Sequence, residues 1–469
     1  MITLEFLGAT RTVTGSRFLV RTTAATILVD SGLFQGSKRD RRANWEPFPV
    51  DPATIDAVVV THAHIDHSGW LPGLARAGFT GPIFATRATC DLCEILLPDA
   101  AHLQEEQARF TNERGFGKHH PALPLYTAED ADAAIALLER VDFTAAVDVA
   151  PGVTARFIPA GHILGSAAVH LTITDPADGS STTLLVSGDL GRGDHPLIPG
   201  PLAPPSADTV LVESTYGDSV HPAADDEIAA LGDLISRTAK RGGIVLIPAF
   251  AVDRTEVLLT VLHDLMHSNR IPKLPVFVDS PMALRVLGVY RGAMRNADPL
   301  IALPGPTVEE GDDPFDPGGG LHECPTVEDS KSLNQLTAPA IIISASGMAT
   351  GGRVLHHLSR LLPNHRNSIV LCGFQAAGTR GRSLADGART VKMLGRYVPV
   401  RAEVMTLRSL SVHADADGLA SWVNGLSEPP DTVYVVHGEL DASTALADRL
   451  VDDGLTAVVP TQFERVRLS

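Results

Sequence analysis

Residues 61–69 read THAHIDHSG and place three imidazoles and a carboxylate within six positions. They follow an apolar run that predicts a buried strand, so the polar cluster lies where this strand ends and the chain turns. Sites form at the carboxyl ends of strands in open α/β sheets. In an extended backbone His62 and His64 point to one side, whereas Asp66 and His67 follow the bend and can reach a second position. Because neutral imidazole and carboxylate bind zinc, this strand end can supply ligands to two metal ions.

Other polar residues follow predicted strands in the same way. His162 comes after a strand and a glycine, and His437 directly follows an apolar run near the end of the chain. Asp189 also follows a buried strand, and one carboxylate can bridge two metal ions. Asp30 is followed by serine and glycine, a pattern typical of a turn or of a group that orients a metal ligand.

The chain has 469 residues, which predicts two or three domains, and a formal net charge of −17. This charge argues against a general coat on nucleic acid or on an anionic membrane, but it allows nucleic acid in a cleft with local positive charge. We expect neither a signal peptide nor a membrane span. Four cysteines fit a reducing cytoplasm, and we interpret Cys90 and Cys93 as core residues of a helix.

Composition also indicates how the rest of the chain is organised. Helical and β-like patterns alternate over residues 225–390, which predicts a parallel sheet with flanking helices. The proline-dense residues 196–205 indicate a boundary. Residues 129–140 predict an Ala/Leu-rich helix, and residues 304–326, rich in proline, glycine and acidic side chains, predict a surface loop.

Two glycine-rich turns in this region have patterns typical of anion sites. Residues 341–345 predict a strand that leads into the small-residue turn 346–352 and then a helix N-terminus. Residues 374–382 carry two arginines beside small residues, which suits a phosphate backbone. Such turns are common, so neither pattern identifies a ligand by itself.

The order of these segments matches one known series of motifs along nearly the whole chain. The matching positions are His62-x-His64-x-Asp66-His67, His162, Asp189, Glu213, Ser346-Gly347-Met348, Gly373-Phe374-Gln375, His413 and His437. The series resembles the metallo-β-lactamase fold in its β-CASP branch. The resemblance is to RNA-processing nucleases, which include the cleavage subunit of the polyadenylation machinery and its bacterial and archaeal relatives.

The resemblance implies an α/β fold in which an αββα metallo-β-lactamase sandwich carries an inserted β-CASP domain with a parallel sheet. It places the first part of the metallo-β-lactamase domain at residues 1–208, the β-CASP domain at 209–392 and the C-terminal part of the metallo-β-lactamase domain at 393–469. This return of the chain would let His413 and His437 complete a site that begins near the N-terminus. The active site would lie in the cleft between the two domains.

The resemblance also implies roles for individual residues. Seven would be metal ligands: His62, His64 and His162 for a first zinc ion, Asp66, His67 and His437 for a second, and Asp189 bridging both. A hydroxide between the metals would be the nucleophile, and Asp66 counts among the catalytic residues too. His413 would protonate the leaving oxygen, Glu213 would orient His413, and Asp30 would orient a metal ligand. Flanking phosphates would contact Ser346, Gly347, Gln375, Thr379 and Arg380.

The implied function is a zinc-dependent phosphodiesterase that cleaves RNA as an endonuclease, with 5′-exonuclease activity left open. In the family, histidine at the position of His437 accompanies RNA enzymes, whereas DNA-repair members carry an apolar residue there. Residues 409–413 read SLSVH where the family more usually has GFSAH, which changes the packing but keeps the histidine.

Manganese can also occupy mixed nitrogen and oxygen sites. A homodimer stays open, and a cytoplasmic location is expected.

Two other functions compete with this hypothesis. A catalytically silent RNA-binding scaffold would lack metal ligands, and none of the seven is missing. A hydrolase of another ester is compatible with the fold, because a fold alone does not fix the chemistry. Glu213, His413 and His437 argue against that alternative.

Overall fold

The computed structural model describes residues 1–115, 120–296, 298–301, 313–318 and 320–468. The chain forms two compact units. The first, the sandwich unit, comprises Met1–His195, Gly200–Val220 and His413–Ser469, and the second, the parallel-sheet unit, comprises Pro196–Pro199 and His221–Val412. The predicted domain division, with breaks after residues 208 and 392, remains a prediction.

The described residues contain strands β1 to β22 and helices α1 to α13. The strands are β1 Thr3–Phe6, β2 Phe18–Arg21, β3 Thr26–Val29, β4 Ala57–Val59, β5 Ile83–Thr86, β6 Leu138–Val141, β7 Ala146–Ala150, β8 Val153–Pro159, β9 Ala167–Thr174, β10 Ser181–Val186, β11 Thr209–Glu213, β12 Ile244–Pro248, β13 Val276–Val278, β14 Leu321–Glu323, β15 Ala340–Ser344, β16 Ser368–Cys372, β17 Thr390–Met393, β18 Arg396–Pro399, β19 Glu403–Leu407, β20 Thr432–Val436, β21 Ala457–Val458 and β22 Arg465–Arg467. The helices are α1 Lys38–Ala43, α2 Ile65–Ser68, α3 Leu71–Arg76, α4 Arg87–Arg114, α5 Ala128–Ile135, α6 Ala224–Lys240, α7 Arg254–His267, α8 Pro281–Arg295, α9 Val327–Ser332, α10 Val354–Leu361, α11 Arg380–Ala385, α12 Ala416–Asn424 and α13 Leu440–Asp452.

Two mixed sheets of seven strands form the sandwich unit. The first has the order β22-β1-β2-β3-β4-β5-β6 and the second the order β21-β20-β11-β10-β9-β8-β7. In the first sheet β22 to β3 pair antiparallel and β3 to β6 pair parallel. In the second, β7 to β10 pair antiparallel, and β10, β11, β20 and β21 pair parallel. Because β20 and β22 come from the end of the chain, this last segment completes both sheets.

The core of the sandwich unit lies between its two sheets. Leu4 and Phe6 of β1 belong to the same buried cluster as Ala155 and Phe157 of β8. The spacing of two residues in each strand reflects side chains that alternate between the faces of a sheet. Each large apolar side chain buried in this way contributes roughly 1.5–3 kcal/mol to folding. This packing holds rigid the strand ends that carry the polar residues.

Helices cover the outer faces of the sandwich. Leu419 and Trp422 of α12 and Leu446 of α13 pack in one cluster with apolar residues of the second sheet. Helix α4 packs against β5 and β6 of the first sheet. Cys90 and Cys93 lie in α4, fully buried and without a disulfide, which confirms their interpretation as core residues. The predicted αββα arrangement is confirmed.

The parallel-sheet unit is built on a sheet of six strands in the order β14-β13-β15-β12-β16-β19. All five strand pairs are parallel, as the alternating pattern predicted. Leu246 of β12, Ile342 of β15 and Leu371 of β16 pack with Leu358 of α10 in the core of this unit. Strands β17 and β18 form a separate antiparallel hairpin after α11.

The structure corrects two sequence predictions. The helix predicted over residues 129–140 ends at Ile135, and the chain then enters β6, which pairs with β5 at the edge of the first sheet. Pairing with a neighbouring strand outweighs the helical pattern, because propensity is a weak preference. The surface loop predicted over 304–326 contains strand β14. Residues 304–312 and 319 of that prediction lie outside the described residues.

Glu256, in the first turn of α7, is fully buried. Burial, and then the charge of Asp253, raises the pKa of Glu256 well above its ordinary value of 4.5. Between the ordinary pKa and the raised pKa, Glu256 keeps its proton in the folded chain but loses it in the unfolded chain. The free energy of unfolding therefore falls as pH rises through this range. We expect Glu256→Gln to gain stability over the wild type from pH 5 to 8, by up to about 1.4 kcal/mol per pH unit.

Urea unfolding across that pH range measures the difference. Glu328→Gln, at an exposed position of the same unit, is the control and should follow the wild-type curve. A difference between Glu256→Gln and the wild type that does not change with pH would contradict the prediction.

Candidate metal centre

The predicted metal loop, residues 61–69, follows the fully buried strand β4 and forms the short helix α2. The segment after β3 packs directly against it. The backbone nitrogen of Ser31 donates to the carbonyl of His67 at 2.7 Å. At Gly32 a Cβ atom would lie 1.6 Å from the carbonyl oxygen of Asp66, so the approach of the two segments requires glycine. These contacts fix the loop in place.

Four donor groups converge at a first position. They are His62, His64, His162 and Asp189, and their ligand atoms lie within 4.8 Å of one another. Nδ1 of His64 is 3.1 Å from Nε2 of His62 and 3.1 Å from Nε2 of His162. Oδ2 of Asp189 lies 3.5 and 3.6 Å from the same two Nε2 atoms. The first position is therefore surrounded by three nitrogens and one oxygen.

Asp66, His67 and His437 form a second group beside the first. Nε2 of His67 is 3.1 Å from Nε2 of His437, and Oδ2 of Asp66 is 3.8 Å from that same atom of His437. Oδ1 of Asp189 lies 3.3 Å from Nε2 of His67 and 3.4 Å from Nδ1 of His437. Asp189 thus presents one oxygen to each group, which is the arrangement expected of a bridging ligand.

The protonation states at the first position fit a divalent metal ion. Burial lowers the pKa of His62 and His162 well below its ordinary value, and that of His64 to about 4, so all three rings are neutral near pH 7. Nδ1 of His64 faces Nε2 of both His62 and His162, but it can share a proton with only one of these two nitrogens. Although burial opposes ionisation, the imidazole of His437 and its neighbours hold the pKa of Asp189 well below its ordinary range. Buried lone pairs beside a buried carboxylate suit a cation.

Asp30, directly after β3, orients His67. Its Oδ2 lies 2.7 Å from Nδ1 of His67. It also accepts hydrogen bonds from the hydroxyl of Ser16 at 3.0 Å and from the backbone nitrogen of Thr61 at 2.8 Å. Although burial opposes it, the carboxylates of Asp189 and Asp30 raise the pKa of His67 well above its ordinary value. Because Nδ1 faces Asp30, Nε2 is the ring nitrogen of His67 that lies toward the second group.

Asp30→Ala is expected to weaken metal retention about 10–100-fold, because the ring of His67 loses the partner that orients it. Competition for zinc with a chromogenic chelator measures this affinity. Asp56→Ala is a matched control, since that carboxylate bonds the backbone nitrogen of Thr26 at the other end of β3. Equal zinc affinity in Asp30→Ala and wild type would contradict the assignment.

Glu213 and His413 form a pair next to Asp189. Nδ1 of His413 is 3.1 and 3.3 Å from the two carboxylate oxygens of Glu213. Glu213 is fully buried at the end of β11 and accepts from the backbone nitrogen of Leu190 at 2.8 Å. Although burial opposes it, Glu213 raises the pKa of His413. With Nδ1 facing Glu213, Nε2 is the ring nitrogen of His413 that can meet a substrate.

Three family models match successive parts of the chain. The model of the metallo-beta-lactamase superfamily matches residues 12–217, that of the Beta-Casp domain residues 255–384, and that of the Zn-dependent metallo-hydrolase RNA specificity domain residues 397–460. A ribonuclease of Thermus thermophilus is 38% identical over 94% of this chain and 94% of its own. This chain belongs to the β-CASP branch of the metallo-β-lactamase superfamily.

Other relatives extend the comparison for this β-CASP protein. The transcription termination factor FttA of Methanocaldococcus jannaschii is 30% identical over 95% of this chain and 68% of its own. A crystal structure of a protein of unknown function from Enterococcus faecalis covers 100% of both chains with a TM-score of 0.53 at 14% identity, which supports the fold alone. Among the described residues of this β-CASP chain, no helix is long and apolar enough to cross a membrane.

The five residues predicted to contact phosphates lie where two turns of the parallel-sheet unit meet. Gln375 is buried, and its Nε2 donates to the carbonyls of Gly347 at 3.3 Å and Gly373 at 3.4 Å. Oε1 of Gln375 is buried and has no hydrogen-bond partner among the described residues. The hydroxyl of Ser346 lies 2.9 Å from that of Thr350. Gln375 therefore joins the two turns through its amide nitrogen.

Thr379 and Arg380 stand at the start of α11. The hydroxyl of Thr379 accepts from the backbone nitrogen of Arg382 at 3.1 Å and donates to the carbonyl of Ala376 at 2.7 Å. The guanidinium of Arg380 donates to the carbonyl of Lys392 at 2.9 Å. These side chains have structural contacts within the β-CASP region, and their contact with phosphate remains a prediction.

Sequence reasoning missed the groups that support the predicted site residues. The hydroxyl of Thr61 lies 3.0 Å from Oδ2 of Asp30 and 3.1 Å from Nδ1 of His62, so it links the two side chains. The sequence feature that could have identified Thr61 is its position directly before His62. The backbone nitrogen of Leu190, which holds Glu213, has no signal in the sequence, because every residue except proline carries this donor.

Proposed function

We propose that this β-CASP protein is a zinc-dependent phosphodiesterase that cleaves RNA within the strand. The observation that carries the proposal is the convergence of six further metal-ligating side chains on the carboxylate of Asp189. A relative named as a ribonuclease supports RNA as the substrate, as does the match of residues 397–460 to a domain named for RNA specificity. A silent scaffold would not require this set of buried donors.

The seven donors divide between two zinc positions. The first would be held by His62, His64 and His162, the second by Asp66, His67 and His437, with Asp189 shared. When bound, the ions supply positive charge that polarises a phosphodiester and lowers the pKa of an attacking water. The side chain of Asp66 is 23% exposed, whereas that of Asp189 is 1% exposed, so Asp66 is the carboxylate that solvent reaches. This exposure supports a catalytic role for Asp66 beside its role as a ligand.

His413 is the proton donor in this proposal. Its Nδ1 faces Glu213, and its raised pKa keeps the ring protonated further toward neutral pH. Nε2 can then deliver a proton to the oxygen that leaves when the phosphodiester breaks. Glu213 positions the ring and stabilises its charge. Manganese as a second usable metal, a homodimer and a cytoplasmic location remain predictions that accompany this function.

Digestion of one 5′-end-labelled RNA by the zinc-loaded protein tests the proposal. A set of labelled fragments of intermediate length indicates an endonuclease, whereas release of the labelled mononucleotide indicates a 5′-exonuclease. Elemental analysis of the same sample should find about two zinc ions per chain. Absence of cleavage by protein that contains its full zinc would refute the proposed function.

A further inference from the structure

Residues 38–42 read KRDRR, the densest run of basic side chains in a protein whose formal net charge is −17. They form most of helix α1 in the sandwich unit. An isolated basic segment on an acidic protein creates a local positive potential that attracts an anionic partner. Neither the arginines nor the aspartate of this run belongs to the two groups of the metal centre.

The arginines of this run are exposed and have no acidic partner within the part of the chain that the structure describes. Arg39, Arg41 and Arg42 are exposed, and the structure gives none of them an ion pair with any described residue. Asp40, the acid within the run, accepts a hydrogen bond from Ser37. Some exposed arginines elsewhere in the described chain do pair with carboxylates, as in Arg87–Asp142, Arg382–Asp386 and Arg449–Asp417. The three guanidinium groups of α1 are thus available to an external anion.

An exposed aromatic residue follows these arginines within one turn of the chain. The backbone nitrogen of Trp45 donates to the carbonyl of Arg42 at 2.9 Å, within one turn after α1. The side chain of Trp45 is 60% exposed, whereas Trp70 and Trp422, the other two tryptophans, are 7% and 6% exposed. An exposed indole on the same short segment as exposed guanidinium groups provides the two components of the stacking platforms that bind unpaired bases.

Hydrogen bonds connect this surface to the metal loop. The side chain of Asn44, the residue before Trp45, donates to the carbonyl of Phe34 at 2.8 Å and accepts from its backbone nitrogen at 2.9 Å. The carbonyl of Asn44 accepts from the indole nitrogen of Trp70, directly after the loop, at 3.2 Å. Inside the loop, the carbonyl of Ile65 accepts from the backbone nitrogen of Leu33 at 2.9 Å. The end of α1 is therefore held at a fixed position relative to the metal ligands.

We propose that Arg39, Arg41, Arg42 and Trp45, the basic platform, bind a single-stranded segment of the RNA substrate outside the metal centre. This inference rests on the proposed function. The guanidinium groups contact successive phosphates, and the indole of Trp45 stacks on one base. A base can stack in this way only when it is unpaired, so the platform selects substrates with a single-stranded flank.

Tryptophan fluorescence reports the proposed contact directly. The probe is a short oligouridylate with phosphorothioate linkages, which resist hydrolysis, titrated into the zinc-loaded full chain. Stacking on Trp45 should quench the emission as the probe binds, and a duplex of the same length should quench it less. Trp45→Phe should remove most of the quenching, since Trp70 and Trp422 are buried. Binding without any quenching in the wild type would overturn the proposal.

Charge variants test the arginines. R39Q/R41Q/R42Q should raise the Kd for the oligouridylate about tenfold or more near 0.1 M salt, and should reduce the slope of log Kd against log salt by about 2. Replacement of the same three arginines by lysine should retain most of the affinity. The matched control R156Q/R366Q/R401Q removes the same charge at exposed positions elsewhere. An equal loss of affinity in this control would overturn the proposal, as would quenching by polyglutamate as strong as that by the oligouridylate.

Cleavage of RNA by the wild type separates this inference from the proposed function. If the wild type cleaves RNA and R39Q/R41Q/R42Q, with a wild-type circular dichroism spectrum, binds the probe normally, the basic platform is rejected and the nuclease function stands. If oligouridylate quenches Trp45 but the zinc-loaded wild type cleaves no RNA, the nuclease function is rejected and the binding surface stands.

Discussion

Asp189→Ala should lower RNA cleavage at least about 10³-fold and release bound zinc. The carboxylate of Asp189 lies 3.5 Å from Nε2 of His62 in the first group and 3.3 Å from Nε2 of His67 in the second. Its removal therefore affects both groups at once and leaves buried imidazoles without the negative charge between them. Loss of several kcal/mol of metal-dependent stabilisation, at about 1.4 kcal/mol per factor of ten in rate, gives the expected decrease.

The experiment compares single-turnover cleavage rates and zinc content for the same purified samples. Asp189→Asn keeps the side-chain volume and should show the same loss if Asp189→Ala is unstable. Asp175→Ala is the matched control, because the side chain of Asp175 is also fully buried in the sandwich unit but accepts from the backbone nitrogen of Thr23. Undiminished cleavage by folded Asp189→Ala would eliminate the bridging role.

The convergence of the predicted ligands could be anticipated because each of them follows a strand or its turn. His62 follows β4, Asp189 follows β10, and His437 follows β20, and an apolar run before a polar residue marks each of these places. The family resemblance then implied which of these segments form one site. The parallel sheet of the β-CASP region follows from the alternation of apolar runs and helices, whereas the αββα sandwich was implied by the family resemblance.

What the sequence could not provide depends on contacts between distant segments. Asp30 resembles a turn residue by its neighbours, and only the fold shows that it meets His67. The Ala/Leu pattern of residues 129–140 favours a helix, and only pairing with β5 explains why its end becomes β6. The sequence likewise could not distinguish the exposed Trp45 from the buried Trp70, because only the fold determines which tryptophan is buried.

His413→Ala is expected to lower RNA cleavage about 10²–10⁴-fold while zinc content stays at the wild-type level. The reason is that in the proposed function Nε2 of His413 would protonate the leaving alkoxide of RNA, whereas His413 is outside both predicted zinc ligand sets. A substrate whose leaving group needs no proton separates these roles. Bis(p-nitrophenyl) phosphate releases a stable phenolate, so its hydrolysis should fall less than about tenfold in His413→Ala. Equal losses on both substrates would reject a proton-donor role.

Glu213→Gln should move the alkaline limit of RNA cleavage to lower pH. Although burial lowers it, the pKa of His413 is raised, first by the charge of Glu213 and further by Asp189 and Asp66. Replacing the carboxylate with an amide removes the largest raising charge, so His413 loses its proton at a lower pH and the rate declines there. Cleavage rates across pH 6–9 measure the limit for both proteins, with Glu428→Gln as an exposed control in the sandwich unit. The acid limit is set by other groups and should stay unchanged. A purely structural role for Glu213 would lower the rate equally at every pH. A uniform decrease without a shift of the alkaline limit would therefore contradict the effect of Glu213 on the pKa of His413.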